Sequence, residues 1–499
     1  MIFSWFKQDL LGRLIVPLLL IAVYFPLQRG AHADQGWGGD YAGYLTQTRS
    51  IVEGAPMQPY YIYNPKQDFL APPYYPLGYS ILLVPFYRGV EADAMVWYSR
   101  FNSVLWWLCG LSLYVFPRKR FRPWAAFGAV LFLLFNPQMY YFKNFILPDV
   151  AYLLAMLWAA YWYLYRSHDK ISDALACGFF TGLVWLMRAN GVVCLIAIMG
   201  HQLIGLAQDW RAGKTAVSWK PALRYLAIVS ALPVAMYLLV YRVLFTLPKG
   251  GGSYFDQLEG MDIWQDMFGN LEKLGTFVLR YYQLEPVVSF QYVHEKVGFA
   301  GLLAGALALG FIIIGLLKAR GREDGFLLLL AAGMGGVLVI WPNSQEFRYL
   351  IPVFALMSYF LLKGITETDT PGRLAGPYIR IDRAIDGMAG EPEPGVPQRA
   401  NNQEAFDYLR ANTPDTAIVV YHHPLIMGLY GRRRSLRLTN ATQEVMDSTA
   451  TAYRVDYVLV NNWLIQSDPY LYAYLDRYRA RYDTVWQNER NALLHVKKH

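Results

Sequence analysis

Apolar residues gather in runs separated by polar, proline-rich and charged stretches, and the runs lie near residues 10–28, 101–117, 123–140, 149–165, 174–187, 191–206, 225–245, 297–317, 325–341 and 349–363. Each is long enough, or nearly so, for a helix to cross about 30 Å of hydrocarbon. The pattern predicts about ten membrane spans. Two long polar insertions, about 29–100 and 246–296, interrupt it. In the first, Tyr41, Tyr44, Leu45, Thr48, Ile51 and Val52 recur at helical spacing up to Gly54, which predicts a short interfacial helix. The second opens on Pro248-Lys249-Gly250-Gly251-Gly252, a hinge, and continues through amphipathic sequence.

Beyond about residue 365 the pattern changes. Residues 366–400 are rich in proline, glycine and charge and read as a linker. After it, helical patterns at 404–411 and 471–482 alternate with β runs at 417–421, 457–460 and 492–496, predicting a small α/β domain over 401–499. The expected fold is a mainly α polytopic bundle over 1–365 with outer-face interfacial helices, followed by that domain.

Composition agrees: 55% of the 499 residues are hydrophobic and 16% are charged, below the quarter usual in a soluble domain. The net charge of +8 does not point to nucleic acid, because the cations sort by side. Fifteen Lys and Arg fall in about 51 residues of one loop set, against twelve in about 142 of the other. The positive-inside rule makes the first set cytoplasmic and turns both long insertions outward. Ten spans would then return the chain to its starting side and leave the C-terminal domain cytoplasmic. Lys7, the first apolar run and Ala31-His32-Ala33 imitate a cleaved secretory signal, but Arg29 directly after the run favours a retained helix.

Candidate chemistry follows from the exposed side. Asp40, just beyond the first span, is a carboxylate at the membrane–water boundary, where it is costly unless paired or used. It reads equally as the N-cap of the following helix. The aromatic, proline-rich surface that holds Tyr75 and Tyr79 suits either a headgroup belt or stacking on a sugar. His294 beside Glu295 lacks a second histidine at ligand spacing, so solvated helix-end residues are the better reading. Arg432, Arg433, Arg434 and Arg437 form a basic patch, either a solvated loop or a contact for anionic headgroups. Asn440-Ala441-Thr442 is a formal glycosylation sequon. Cys109, Cys177 and Cys194 sit in apolar runs without paired spacing and imply neither disulfide nor metal. No phosphate loop, dinucleotide fingerprint, zinc-protease or nucleophile-elbow pattern stands in its proper context.

Four segments carry a resemblance: Gly39-Asp40-Tyr41-Ala42-Gly43-Tyr44 after the first span, Tyr75-Pro76-Leu77-Gly78-Tyr79, Gly182-Leu183-Val184-Trp185-Leu186-Met187-Arg188-Ala189-Asn190-Gly191, and Arg348-Tyr349-Leu350-Ile351-Pro352. In this order the chain resembles the glycosyltransferase-C superfamily, in the branch of protein O-mannosyltransferases and bacterial aminoarabinose transferases, over about its first 365 residues. The resemblance implies a sugar donor on a polyprenyl phosphate, a lipid, glycan or protein acceptor, inversion at the anomeric carbon, and a site on the outer or periplasmic face of the plasma membrane. It makes Asp40 the catalytic carboxylate and Asp149 of Leu147-Pro148-Asp149 the second acidic residue. A paired acidic motif usual in the family is here Gly38-Gly39 before Asp40, which leaves a divalent metal open and implies no other cofactor.

The chemistry fits independently. A sugar hydroxyl needs a general base to attack an anomeric carbon, and Asp40 can serve. A departing phosphate needs cations, for which Arg188, Arg348 and Arg100 at the outer ends of spans and Lys66 in the first insertion are candidates. Each could instead snorkel or pair with a carboxylate. Tyr41, Tyr44, Tyr75 and Tyr79 are the candidate substrate contacts. A transporter or flippase for lipid-linked sugars would share the spans but predicts internal repeats, of which the chain shows none. A non-catalytic assembly subunit is the third reading.

Overall fold

The computed structural model describes residues 16–35, 39–55, 75–116, 121, 123–212, 219–245, 263–282, 306–340, 347–367, 397–438, 443–461 and 469–497. Helices follow the apolar runs in the order α1 (Val16–Gln28), α2 (Asp40–Glu53), α3 (Leu77–Leu83), α4 (Ala92–Val115), α5 (Pro123–Leu134) and α6 (Pro137–Phe142). Then come α7 (Asp149–Tyr165), α8 (Ile171–Met187), α9 (Val192–Arg211), α10 (Trp219–Leu238), α11 (Ile263–Tyr282), α12 (Ala306–Leu317), α13 (Arg322–Ile340) and α14 (Ile351–Glu367). The C-terminal part adds α15 (Ala400–Asn412), α16 (Gln443–Ala452), α17 (Pro469–Arg477) and five strands. Among the described residues four stretches are long and apolar enough to cross a membrane: Ala189–Arg211, Trp219–Arg242, Arg322–Ile340 and Arg348–Thr366.

The chain divides into two compact units that do not follow chain order. One comprises residues 1–31, 99–246 and 261–390, and the other 32–98, 247–260 and 391–499. The first unit is helical. The run predicted as one span over 123–140 is two helices, because Pro137 cannot donate to the ladder and instead starts α6. The amphipathic stretch of the second insertion forms α11, and Asn270 Nδ2 donates to the Val339 carbonyl of α13 at 3.1 Å. At the other end of α13 the buried Asp324 accepts from Lys363 and, at 2.9 Å, from Tyr359, both on α14. A charge inside such a bundle is tolerated because it is paired and hydrogen-bonded.

In the second unit the strands are β1 (Ile418–Val420), β2 (Arg434–Leu436), β3 (Tyr457–Asn461), β4 (Tyr482–Gln487) and β5 (Asn491–Val496), in sheet order β2-β1-β3-β5-β4. β1 pairs parallel with β2 and β3, while β5 pairs antiparallel with β3 and β4. Val420, Leu436, Met446, Val458, Val460 and Leu471 form its core, and Asn402, Asn461 and Asn491 satisfy one another's buried amides. The small α/β domain is therefore present. The helix expected over 471–482 stops at Arg477, and Tyr482 begins β4 instead. The basic patch is also not all surface: Arg433 is buried, donating to Thr413 Oγ1 at 3.0 Å and to the carbonyl of Thr413 at 2.7 Å. Arg432 and Arg434 remain exposed.

α2 packs inside this same unit. Arg49 Nη1 donates to the Leu429 carbonyl at 3.0 Å and Nη2 to that of Gly428 at 3.4 Å. The first insertion and the C-terminal domain therefore share one side of any membrane the chain crosses. This corrects the expectation of a C-terminal domain opposite the insertion. Nine predicted crossings separate the two, whereas residues in contact across a membrane protein must be separated by an even number, so the predicted count and this contact do not agree.

Candidate functional site

The sequence candidates fall into two groups, one in each unit. In the second unit, α2 starts at Asp40, and the residue before it, Gly39, holds φ +76°, a left-handed conformation that glycine adopts without a Cβ penalty. Gly39 and not Asp40 is the N-cap, so the capping reading of Asp40 is corrected. The carboxylate lies in the first helical turn, where the macrodipole favours an anion, and it is half-buried. Tyr75 donates its hydroxyl to Asp40 Oδ1 at 2.7 Å. The Tyr75 ring lies across α2 where residue 43 is glycine; a Cβ there would enter the ring. Tyr75 stacks on Tyr44 at 4.8 Å between centroids, and Tyr79 meets Tyr44 edge-on at 5.3 Å.

Behind this face, Ser80 Oγ donates to the Tyr44 carbonyl at 3.1 Å, and Gln47 Nε2 to the Tyr75 carbonyl at 3.0 Å. These bonds dock α3 and Pro76 on α2. Of the expected substrate contacts, Tyr41, Tyr44 and Tyr79 are buried at 2%, 5% and 0% exposure and pack as core. Tyr75 is the one of the four with open surface. Burial also drives the Tyr41 hydroxyl well above its ordinary range, with the Tyr430 hydroxyl beside it adding to the effect.

In the first unit Asp149, Arg188 and Arg348 come together. Asp149 opens α7 after Pro148 and is ion-paired with Arg188. Arg188 ends α8 in extended backbone, and the chain returns through a short 3-10 turn to Gly191, where a Cβ would strike the Val184 carbonyl. That turn aims Arg188 at Tyr349, with the guanidinium 4.1 Å from the ring centroid. Arg348 lies 5.0 Å from the same ring and is buried. Two guanidiniums therefore share one aromatic ring, an arrangement suited to a planar, weakly hydrated cation. The second Asp149 oxygen, Oδ2, is buried without a hydrogen-bond partner among the described residues.

Arg100 is exposed on α4 and takes no part in this cluster, and Lys66 and His294-Glu295 lie outside the described residues. Sequence reasoning missed Tyr349, although it stands in the quoted Arg348-Tyr349 segment. It also missed Lys143, fully buried six residues before Asp149, which donates to Asn144 Oδ1 at 2.6 Å and to the Arg29 carbonyl at 3.4 Å. Burial pulls the Lys143 ammonium down to about 7. No metal-binding group of three or more His, Cys, Asp or Glu occurs among the described residues.

What such an arrangement can do is limited and specific. A carboxylate held by a phenol can take a proton, and a guanidinium pair can hold an anion.

No protein-family model matches the chain, and no curated protein does. Solved structures do. The oligosaccharyltransferase of Archaeoglobus fulgidus in its apo form is 15% identical with a TM-score of 0.57, covering 92% of this chain and 70% of that one. The archaeal enzyme in complex with an inhibitory peptide and a dolichol-phosphate is 14% identical with a TM-score of 0.57, over 90% and 70%. Its complex with zinc and sulfate is 15% identical with a TM-score of 0.52, over 87% and 64%. The chain has the fold of that enzyme.

Proposed function

We propose that the protein is an integral membrane glycosyltransferase that moves a monosaccharide from a polyprenyl-phosphate donor to a lipid, glycan or protein acceptor on the outer face, with inversion. The observation that carries the reading is the Asp40–Tyr75 pair: a half-buried carboxylate at a helix start just beyond the first apolar span, oriented by a phenol at 2.7 Å. The archaeal enzyme that shares the fold was solved with dolichol-phosphate, a ligand of the same class.

In this reading Asp40 takes the proton of the acceptor hydroxyl as that oxygen attacks the anomeric carbon. Tyr75 holds one carboxylate oxygen, leaving the other to accept the proton, and presents its ring to the sugar. As the bond to the donor breaks, negative charge grows on the departing phosphate, and Arg188 and Arg348 meet it with fork geometry. Asp149 keeps Arg188 in place, and its unpartnered oxygen offers a hydrogen-bond acceptor to a substrate hydroxyl. Lys66 and Arg100 are further candidate phosphate contacts. The lipid donor carries the energy, so the reaction needs no nucleotide site. In this reading the chain crosses the plasma membrane about ten times, with a count that leaves α2 and the C-terminal domain both facing outward.

The test is sugar transfer by purified protein in detergent from a panel of synthetic polyprenyl-phosphate sugars, with Asp40→Asn as control. Transfer by the wild type and its loss in the variant is the expected result. Lipid translocation without transfer would replace the reading with that of a flippase. Chelation in the same assay decides metal dependence.

A further inference from the structure

Two anchors bind α2 to the C-terminal domain, and neither touches the reacting groups. Arg49 is 4% exposed, and its guanidinium spends two donors on the carbonyls of Leu429 and Gly428. At the other end of the helix the buried Tyr41 and Tyr430 hydroxyls are bridged by Gln398, whose Nε2 donates to them at 3.3 and 3.2 Å. The anchors stand eight residues apart, about 12 Å along the axis, so together they fix both the rotation and the axial position of the helix. Asp40 is the residue next to Tyr41.

The partner surface is itself rigid. The turn Met427–Gly431 is buried throughout, Arg410 Nη1 of α15 donates to the Tyr430 carbonyl at 2.6 Å, and Phe406 stacks on Tyr430 at 5.6 Å. A buried cation satisfied by backbone carbonyls is expensive to disturb, because removing it leaves carbonyls without donors. So costly a contact, built on the helix that carries Asp40, is more than a tether.

We propose that the C-terminal domain is a positioning element for the base: Arg49, with the Tyr41–Gln398–Tyr430 bridge, holds α2 so that the Asp40 carboxylate keeps its productive geometry. The proposal rests on the functional reading above. Arg49, Gln398 and Tyr430 are positioning residues that act through Asp40. A misplacement of about 1 Å at the reacting group can cost on the order of 10²-fold in rate.

The experiment uses the full-length protein with Arg49→Met, Arg49→Lys and Gln398→Leu, each in wild-type and Asp40→Asn backgrounds. With Asp40 present, Arg49→Met should lower kcat by roughly 10- to 10²-fold with little change in the KM for donor. Arg49→Lys should recover part of the loss, and Gln398→Leu should give a smaller loss of the same kind. In the Asp40→Asn background Arg49→Met should have no further effect on the residual rate, whereas a merely structural role would lower both backgrounds equally. Hydrogen exchange at the amides of residues 40–45 should quicken in Arg49→Met. Equal losses in both backgrounds, a rise in KM alone, or unchanged exchange would each overturn the proposal. Should Arg49→Met not fold, Gln398→Leu carries the same comparison. A wild type that transfers no sugar from any donor sinks the functional reading instead, and the exchange measurement still decides whether the anchors position the helix.

Discussion

The Tyr75 hydroxyl reaches Asp40 Oδ1 at 2.7 Å because position 43, on the face of α2 between them, carries no side chain. Gly43 costs the helix about 1 kcal/mol relative to alanine in intrinsic propensity, so restoring a Cβ would be expected to help an isolated helix. Here it meets a ring. Gly43→Ala should therefore displace Tyr75, lose the hydrogen bond to Asp40 and lower turnover at least as far as Tyr75→Phe does. The double variant Gly43→Ala/Tyr75→Ala should melt higher than Gly43→Ala alone, since the clash is gone. If Gly43→Ala keeps full turnover, the ring does not hold the carboxylate in the working enzyme.

Asp40→Asn separates chemistry from structure more cleanly than the sequence implied. With Gly39 in the cap position, the Asp40 side chain does not cap the helix, and its loss of charge costs the helix start only the modest dipole contribution. Turnover should fall by on the order of 10² to 10⁴ while thermal stability and donor affinity stay close to wild type. Near-normal turnover in this variant would remove the case for glycosyl transfer at Asp40.

The Asp149–Arg188 pair changes how the arginines must be tested. Their side chains are 4% and 13% exposed, so Arg188→Ala strands a buried carboxylate, and losing one partner of such a pair costs about 3–5 kcal/mol. Alanine at position 188 confuses folding with phosphate binding. Arg188→Lys keeps the charge, should fold, and should bind donor more weakly because the fork is gone. Arg348→Lys should behave alike. Adding Asp149→Asn to Arg188→Ala should recover part of the lost stability, a non-additivity that a thermal-melt cycle would read.

What the sequence made legible follows from what periodicity can carry. The apolar runs placed most helices within a few residues, and the short β runs at 417–421, 457–460 and 492–496 located three strands of the C-terminal sheet. It missed β2 and β4, which are short or half-exposed and show no clean alternation. Asp149, Arg188 and Arg348 were legible as charges at the ends of apolar runs, but their common partner Tyr349 was one aromatic among many. Helical spacing of Tyr41 and Tyr44 predicts a short interfacial helix, and their burial makes that face a packed one. The anchor at Arg49 spans about 380 residues of chain, and no local pattern announces a contact of that separation. The apolar runs likewise put the C-terminal domain opposite α2, because a single miscounted crossing inverts everything after it.

The last prediction concerns acid stability of the C-terminal domain. Burial holds the His423 imidazole down to about 3 from its ordinary 6.5, with His422 and Arg437 adding positive charge against protonation. The folded state thus keeps His423 neutral while the unfolded chain takes up a proton as pH falls below about 6.5. The unfolded state binds the extra proton between pH 6.5 and 3, so stability is full above 6.5 and declines across that window, by up to about 1.4 kcal/mol per pH unit. Between pH 6.5 and 5 most carboxylates are still ionised, so the histidine effect can be read there with little interference. Hydrogen exchange at the β1 and β3 amides of the full-length protein should quicken over that interval in the wild type, beyond the change in intrinsic exchange rate. His423→Gln, which has no proton to gain, should flatten the response. An identical pH dependence in the variant would show that the histidine titrates without coupling to the fold.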